Sequence, residues 1–180
     1  MGVAKNIFKN SNVTIINGMP PPPVPSVHLT DVLDTEDTEI NIPNNHHVLN
    51  FADCIRKIIK KEGFQCVRQS LFVLDLGGAK SQGGKYRRDA SPCLTSSRCS
   101  KCAYFVFGTT GGIFYCRYLK QSEMLSLQGF PRWFSWPEAV SKSQRGMMVG
   151  NTIPVPMMSA AISGLEMAMI RGVITPHPAG

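Results

Sequence analysis

Apolar side chains recur at helical spacing in two places along this chain and gather into short strand-like runs between them. Within residues 48–62, Val48, Phe51, Ile55, Ile58 and Ile59 stand three and four positions apart, with charged residues in the gaps. That spacing lines one side of a helix, and Gly63 supplies its stop. A second stripe, Met158, Ile162, Leu165 and Met169, predicts a helix from about 155 to 171. Pro156 is tolerated in its first turn, where the backbone N–H has no helical acceptor. A methionine-bearing stripe of this kind reads as packing surface and not as a cofactor box.

The run Q-S-L-F-V-L-D-L at 69–76 is rich in strand formers and ends at Gly77-Gly78. Residues 92–96, 103–107 and 113–118 are predicted as further short strands, separated by glycine-containing turns at 83–85 and 108–112. Ser122 is placed to cap a short helix reaching Leu127, which must stop before Gly129 and Pro131. Ahead of the first helix, residues 17–27 form a proline-rich extended connector. An acidic stretch, 31–39, follows and opens with a short helix capped by Thr30 or Asp31. His46 and His47 fall in a loop and read as loop residues, not ligands. Together these elements predict the α+β class: a small, irregular β module with flanking helices.

Charge sharpens this picture. The chain of 180 residues carries a net charge of +7. Residues 51–150 hold sixteen basic and six acidic side chains, whereas residues 1–50 hold two and five. The positive charge is thus concentrated on the β module, which suits either a polyanionic partner, DNA or RNA being the usual one, or a solvated lysine-rich face. The length suits one domain or a large piece of a bigger protein.

The most apolar stretch, 147–170, is broken by Gly150, Asn151, Pro154, Pro156 and Glu166. A membrane span needs roughly 20 apolar residues, so the expectation is a soluble chain with no membrane partner. Gly2 suggests a myristoylation start, but Asn6 stands where that motif wants Ser or Thr. With no apolar leader at the start, the expected compartment is intracellular and the six cysteines are expected to be reduced. C-x-x-C at 99–102, flanked by Cys93 and Cys116, permits a four-thiolate zinc site on paper. Structural zinc sites pair two short knuckles and only one is present, so no metal is assigned.

Two segments carry a more specific signal. The first is R-Y-L-K-Q-S-E-M-L-S-L-Q-G-F-P, from Arg117 to Pro131; the second is G-N-T-I-P-V-P-M-M-S-A-A-I, from Gly150 to Ile162. Their order and separation resemble the closing motifs of DNA cytosine-5 methyltransferases, R-x-L…E…L-Q-G-F-P followed by G-N-(S/A)-V-P. The run G-G-K-Y-R-R-D-A-S-P-C-L-T-S-S, with A-Y-F-V-F-G-T-T-G-G-I-F-Y after it, is similar to that family's target-recognition region. The proline-rich segment resembles the passage placed after its central arginine motif.

The resemblance implies a division into a proline-rich and acidic connector (1–47), a target-recognition domain with the first motif (48–135), and the second motif with a C-terminal helix (136–180). That helix would pack on a Rossmann-like methyltransferase domain. Lys80, Lys85, Arg87, Arg88, Arg98 and Lys101 are implied as DNA contacts around a flipped cytosine. Asn151 and Thr152 are implied to lie near S-adenosylmethionine. Arg117, Glu123, Gln128, Gly129, Pro131 and Gly150 are implied as structural, the first two tying the motif to the recognition domain. The implied partners are DNA and a catalytic domain or companion subunit, and the nucleus is the implied compartment for a eukaryotic source.

The catalytic signatures of the family are not found in these 180 residues. There is no F-x-G-x-G cofactor loop, no P-C-Q nucleophile loop, no E-N-V and no Q-x-R-x-R. Pro92-Cys93 belongs to P-C-L-T, where the family commonly has threonine, so Cys93 is not assigned as nucleophile. After P-C-L-T, S-S-R-C-S-K-C stands where the family often places glycines. No catalytic residue is therefore assigned, and enzyme status stays open. The expectation is a recognition and pocket-closing portion, inactive alone. The alternatives are a degenerate, non-catalytic DNA-binding or regulatory module and, third, a zinc-stabilised interaction domain.

Overall fold

The computed structural model describes residues 28–44, 46–79 and 82–170, with side chains up to Met167 at the C-terminal end. The proline-rich run and Lys80 lie outside the described residues. The described residues up to Pro154 form one compact unit, and the helix that begins at Val155 belongs to a second.

The larger unit is built on a four-stranded antiparallel sheet of order β2-β1-β3-β4, which confirms the α+β class. The strands are β1 (Leu71–Asp75), β2 (Lys85–Arg88), β3 (Tyr104–Thr110) and β4 (Ile113–Tyr118). Side chains of a strand point alternately to opposite faces. In β1, Phe72 and Leu74 turn to one face and Leu71 and Val73 to the other, and all four are buried. Burial on both faces explains why this strand reads as a continuous apolar run and not as an alternating one.

One face is covered by helix α2 (Val48–Glu62), which follows the short helix α1 (Leu29–Val32). Helix α2 buries Asn50, Cys54 and Ile58, spaced four apart, with Phe51 and Ile55 half-buried beside them. It ends at Gly63, where φ is +82°, and the single turn α3 (Phe64–Val67) returns the chain to β1. The opposite face packs against α1 and three further helices: α4 (Ser96–Ser100), α5 (Gln121–Leu127) and α6 (Lys142–Asn151). Strands β3 and β4 are joined by Gly111-Gly112 alone, with Thr110 paired to Ile113. Both glycines have positive φ, which gives the hairpin twist that matches the strands. The turn is thus confined to two residues, and Gly108–Thr110 belong to β3.

Four further local expectations are corrected. Residues 92–96 do not form a strand: 91–95 are irregular, and Ser96 already begins α4. The backbone there is satisfied by a side chain and not by a ladder. The Tyr104 hydroxyl donates to Cys93 O at 2.7 Å and accepts from Thr95 N at 3.1 Å. Residue 85 is not part of a turn but the first residue of β2, pairing with Asp75. Helix α5 starts at Gln121 with Lys120 at its cap, because Glu123 reaches back to the Lys120 N–H at 2.8 Å. Similarly, α1 starts at Leu29, ahead of both proposed caps.

The second unit is represented by helix α7, Val155–Ile170. Met158, Ile162 and Leu165 of its stripe are exposed, as are Met157 and Met167. Among the described residues no helix is long and apolar enough to cross a membrane.

Candidate functional site

Arg117, in β4, is 2% exposed, and all five of its N–H donors are used. Nη1 and Nη2 hold the two Glu123 oxygens at 2.9 and 2.7 Å. The remaining three donors go to backbone carbonyls: Asp37 at 3.1 Å, Tyr118 at 3.1 Å and Asp34 at 3.3 Å. Glu123 is filled in turn, accepting from the Asp34 and Lys120 N–H groups at 2.8 Å each. Lys120 Nζ adds ion pairs to Asp34 and Asp37 at 2.7 and 2.9 Å. This knot ties the acidic segment at 34–37 to β4 and α5 across eighty or more residues of sequence.

The same contacts make the knot sensitive to acid. Hydrogen bonding from Lys120 holds both Asp34 and Asp37 below the ordinary value of 3.8. A carboxylate with a lowered folded-state pKa stabilises the fold above its unfolded value, and that contribution is lost as pH falls through the lowered one. Thermal melts from pH 7 downward are expected to hold nearly level for this pair until about 3.8. Below it they should fall, more steeply for the parent than for Lys120→Met. Equal slopes for the two proteins would contradict the assignment.

L-Q-G-F-P is the end of α5. The Gly129 N–H bonds Ser126 O at 2.9 Å and the Phe130 N–H bonds Leu125 O at 3.1 Å, with Gly129 at φ +83°. This is the Schellman stop, in which a left-handed glycine lets two late carbonyls be satisfied. Pro131 then prevents the helix from resuming. Gln128, nearly buried, directs its side-chain amide at Val149 O in α6, 3.5 Å away.

Gly146 and Gly150 occupy the face of α6 that crosses α4. A β-carbon on Gly150 would lie 2.1 Å from Ser96 N and 2.3 Å from Thr95 C; one on Gly146 would lie 2.6 Å from Cys99 O. The glycine of G-N-T-I-P is therefore there for backbone approach. Its placement leaves Asn151 exposed at the helix end, beside a 400 Å³ hollow lined by Ala139, Val140, Gln144, Met147 and Met148. The Thr152 hydroxyl is spent locally, donating to Met148 O at 2.8 Å. This wall has no carboxylate to hold ribose hydroxyls and no glycine loop for a carboxylate-bearing ligand. By itself it does not make up a site for S-adenosylmethionine.

The implied DNA contacts separate into two kinds. Arg88 and Arg98 serve the fold. Arg88 reaches Ser70 Oγ at 3.1 Å and Glu62 at 3.4 Å, and Arg98 binds Gly77 O and sits 3.3 Å from Asp75. Lys101 is exposed beside a separate hollow with His46, Gly77 and Gly78. Lys85 and Arg87 share one side of β2 and enter a 750 Å³ cleft with Lys57, Lys60 and Lys61 of α2. Tyr86, Pro92 and Cys93 line it as well, and Asp75, paired with Arg98, is its single carboxylate.

Sequence reasoning missed the α2 lysines. The signal was present: Lys57, Lys60 and Lys61 are three and four apart, on a helix whose Cys54 and Ile58 point inward. Among the described residues no group of three or more Cys, His, Asp or Glu side chains is positioned to hold a metal ion. Burial instead pushes the Cys54 thiol up to about 12 and the Cys99 thiol up to about 11, which keeps both protonated and unreactive.

A sheet clamped between helices, a buried Arg–Glu knot and a cationic cleft define an α+β module suited to a polyanionic partner. The sequence profile of the family described as C-5 cytosine-specific DNA methylase matches residues 12–166. This chain belongs to that family. Comparison with curated proteins and with solved structures gave no match.

Proposed function

We propose that this chain is the target-recognition and pocket-closing portion of a DNA cytosine-5 methyltransferase. In the complete enzyme the reaction would depend on S-adenosylmethionine; these residues alone would be inactive. The carrying observation is that one unit joins the Arg117–Glu123 and L-Q-G-F-P elements to an exposed cationic surface. DNA is the expected substrate of the family, and that surface supplies the phosphate-neutralising charge such a substrate requires. Asn151, held at the end of α6, would complete a cofactor pocket formed mainly by a catalytic domain or companion subunit. The nucleophile and the loop that cradles the cofactor would come from there too, since no P-C-Q or F-x-G-x-G occurs in the sequence.

Two measurements test this reading. Duplex DNA is expected to bind the full chain with an affinity whose logarithm falls linearly with the logarithm of salt concentration. The purified chain is expected to transfer no methyl group from S-adenosylmethionine to that DNA. Cytosine methylation by the chain alone would refute the assigned inactivity and return Cys93 to consideration. Failure to bind duplex DNA at low salt would remove the recognition role.

A further inference from the structure

Strand β2 leads into a stretch of chain that belongs to no helix or strand. Asp89 is the last tie: its N–H bonds Leu71 O at 2.7 Å, and its carboxylate accepts from the Leu71 N–H at 2.9 Å. Among the described residues the backbone of Ala90, Ser91 and Pro92 then makes no hydrogen bond to another element. The chain is next held at Cys93 O, by the Tyr104 hydroxyl. No residue from Arg87 to Cys93 is buried. The Ser91 hydroxyl is uncommitted to the fold, donating to the carbonyl of its own neighbour Pro92 at 2.9 Å. Pro92 in turn keeps Ser91 in the extended region. A serine on an accessible, extended segment that lifts away without breaking a ladder, with proline directly after it, suits a proline-directed serine kinase. An arginine-directed kinase would need Arg88, three residues before, which is engaged by Ser70 Oγ at 3.1 Å and Glu62 at 3.4 Å.

The segment runs over the sheet face turned away from α2. Leu94 and Tyr104, which anchor it, belong to the core on that face, as does Val73. Directly paired residues of neighbouring strands share a face, so Arg87 opposite Val73 and Lys85 opposite Asp75 stand on it too. Pro92 borders one open hollow together with both cations. Both are exposed, and neither forms an ion pair among the described residues.

We propose that Ser91 is a phosphorylation site for a proline-directed serine kinase, and that its phosphate, held by Arg87 and Lys85, withdraws these two cations from DNA. The γ-phosphoryl group of ATP passes to Ser91 Oγ: an O–P bond forms there and the bond to the β-phosphate oxygen breaks. ADP leaves, and the hydroxyl proton goes to the kinase's own carboxylate. The product carries a charge of about −1.5 to −2 at pH 7 and strong acceptor oxygens, which match an arginine beside a lysine. The inference rests on the proposed DNA-binding role and adds its regulation.

The full chain is treated with a proline-directed serine kinase and ATP, and phosphate is located by peptide mass spectrometry. Ser91 is expected to be modified in the parent and not in Pro92→Ala. The map separates it from Thr175-Pro176, the other Ser/Thr-Pro pair in the sequence. An unmodified Ser91, or labelling that survives Pro92→Ala, overturns the assigned site. Capture is read without DNA, by phosphorus NMR. The second ionisation of the phosphoserine, ordinarily at about 6, is expected to fall in the parent and to return in Lys85→Ala with Arg87→Ala. Equal titration in the two overturns capture.

Modification is expected to weaken duplex binding about tenfold at low salt and to lower the salt slope by about 1.8, two phosphate contacts' worth. The double variant should lose little more when modified, and an equal further loss there overturns the assignment to these two cations. If duplex binds and modification changes nothing, the regulation alone falls. If the unmodified chain binds no duplex, the proposed function falls, and the NMR titration still decides phosphate capture.

Discussion

Arg117→Leu is expected to destabilise the fold by about 3–5 kcal/mol, the usual consequence of removing one partner of a buried ion pair. The size follows from what the substitution strands. Glu123, at 3% exposure, is left buried without either bond to the guanidinium, and the carbonyls of Asp34, Asp37 and Tyr118 lose their donor. Leucine fills some of the volume and satisfies none of these groups. Converting both partners, Arg117→Leu with Glu123→Leu, removes the stranded carboxylate. It still leaves three carbonyls and the Asp34 and Lys120 N–H groups without partners, so recovery should be partial. Urea unfolding of the two variants and the parent checks this. A loss below about 1 kcal/mol, the level of an exposed pair, would mean that the knot does not hold segment 34–37 in place.

Gly150→Ala is the second large effect. Alanine is normally about 1 kcal/mol better than glycine inside a helix, so a surface position in α6 would gain. Here the added carbon meets Ser96 N at 2.1 Å and Ser96 Cα at 2.4 Å, and both are backbone atoms that no rotamer change can move. Helix α6 must slide off α4, at an expected net loss of about 1–3 kcal/mol. The shift also displaces Asn151, the next residue. Ser143→Ala, on the exposed side of the same helix, is the control and should be neutral within about 0.5 kcal/mol. Thermal melts of the two variants separate backbone contact from helix propensity, and equal behaviour would overturn the close-approach account.

Periodicity reached those elements whose burial is one-sided or continuous. The inward side of α2 was readable from Phe51, Ile55 and Ile58, and β1 from its unbroken apolar run. It failed at 92–95, where Tyr104 supplies through its hydroxyl the hydrogen bonds that a neighbouring strand would have given. A side chain nine or more residues away leaves no local mark. It also passed over α6, whose buried face is made by Gly146 and Val149 and not by large apolar residues. For the site, the motif residues were legible as chemistry before their geometry was known. Arg88 and Arg98 could not be told from Arg87 in sequence. All are arginines in a basic segment, and only the positions of Glu62, Ser70, Asp75 and Gly77 decide which are engaged by the fold.

The sequence alone determined the α+β class, the concentration of positive charge between residues 51 and 150, and the family through its two closing motifs. Each of these depends on residue type and spacing, which neighbours in sequence are enough to express. Tertiary structure decided which cations face outward together, since the lysines of α2 and the edge strand β2 meet only when both pack on β1. It likewise decided why L-Q-G-F-P and G-N-T-I-P must keep their glycines. One closes a helix in the left-handed region, and the other lets two helices touch backbone to backbone.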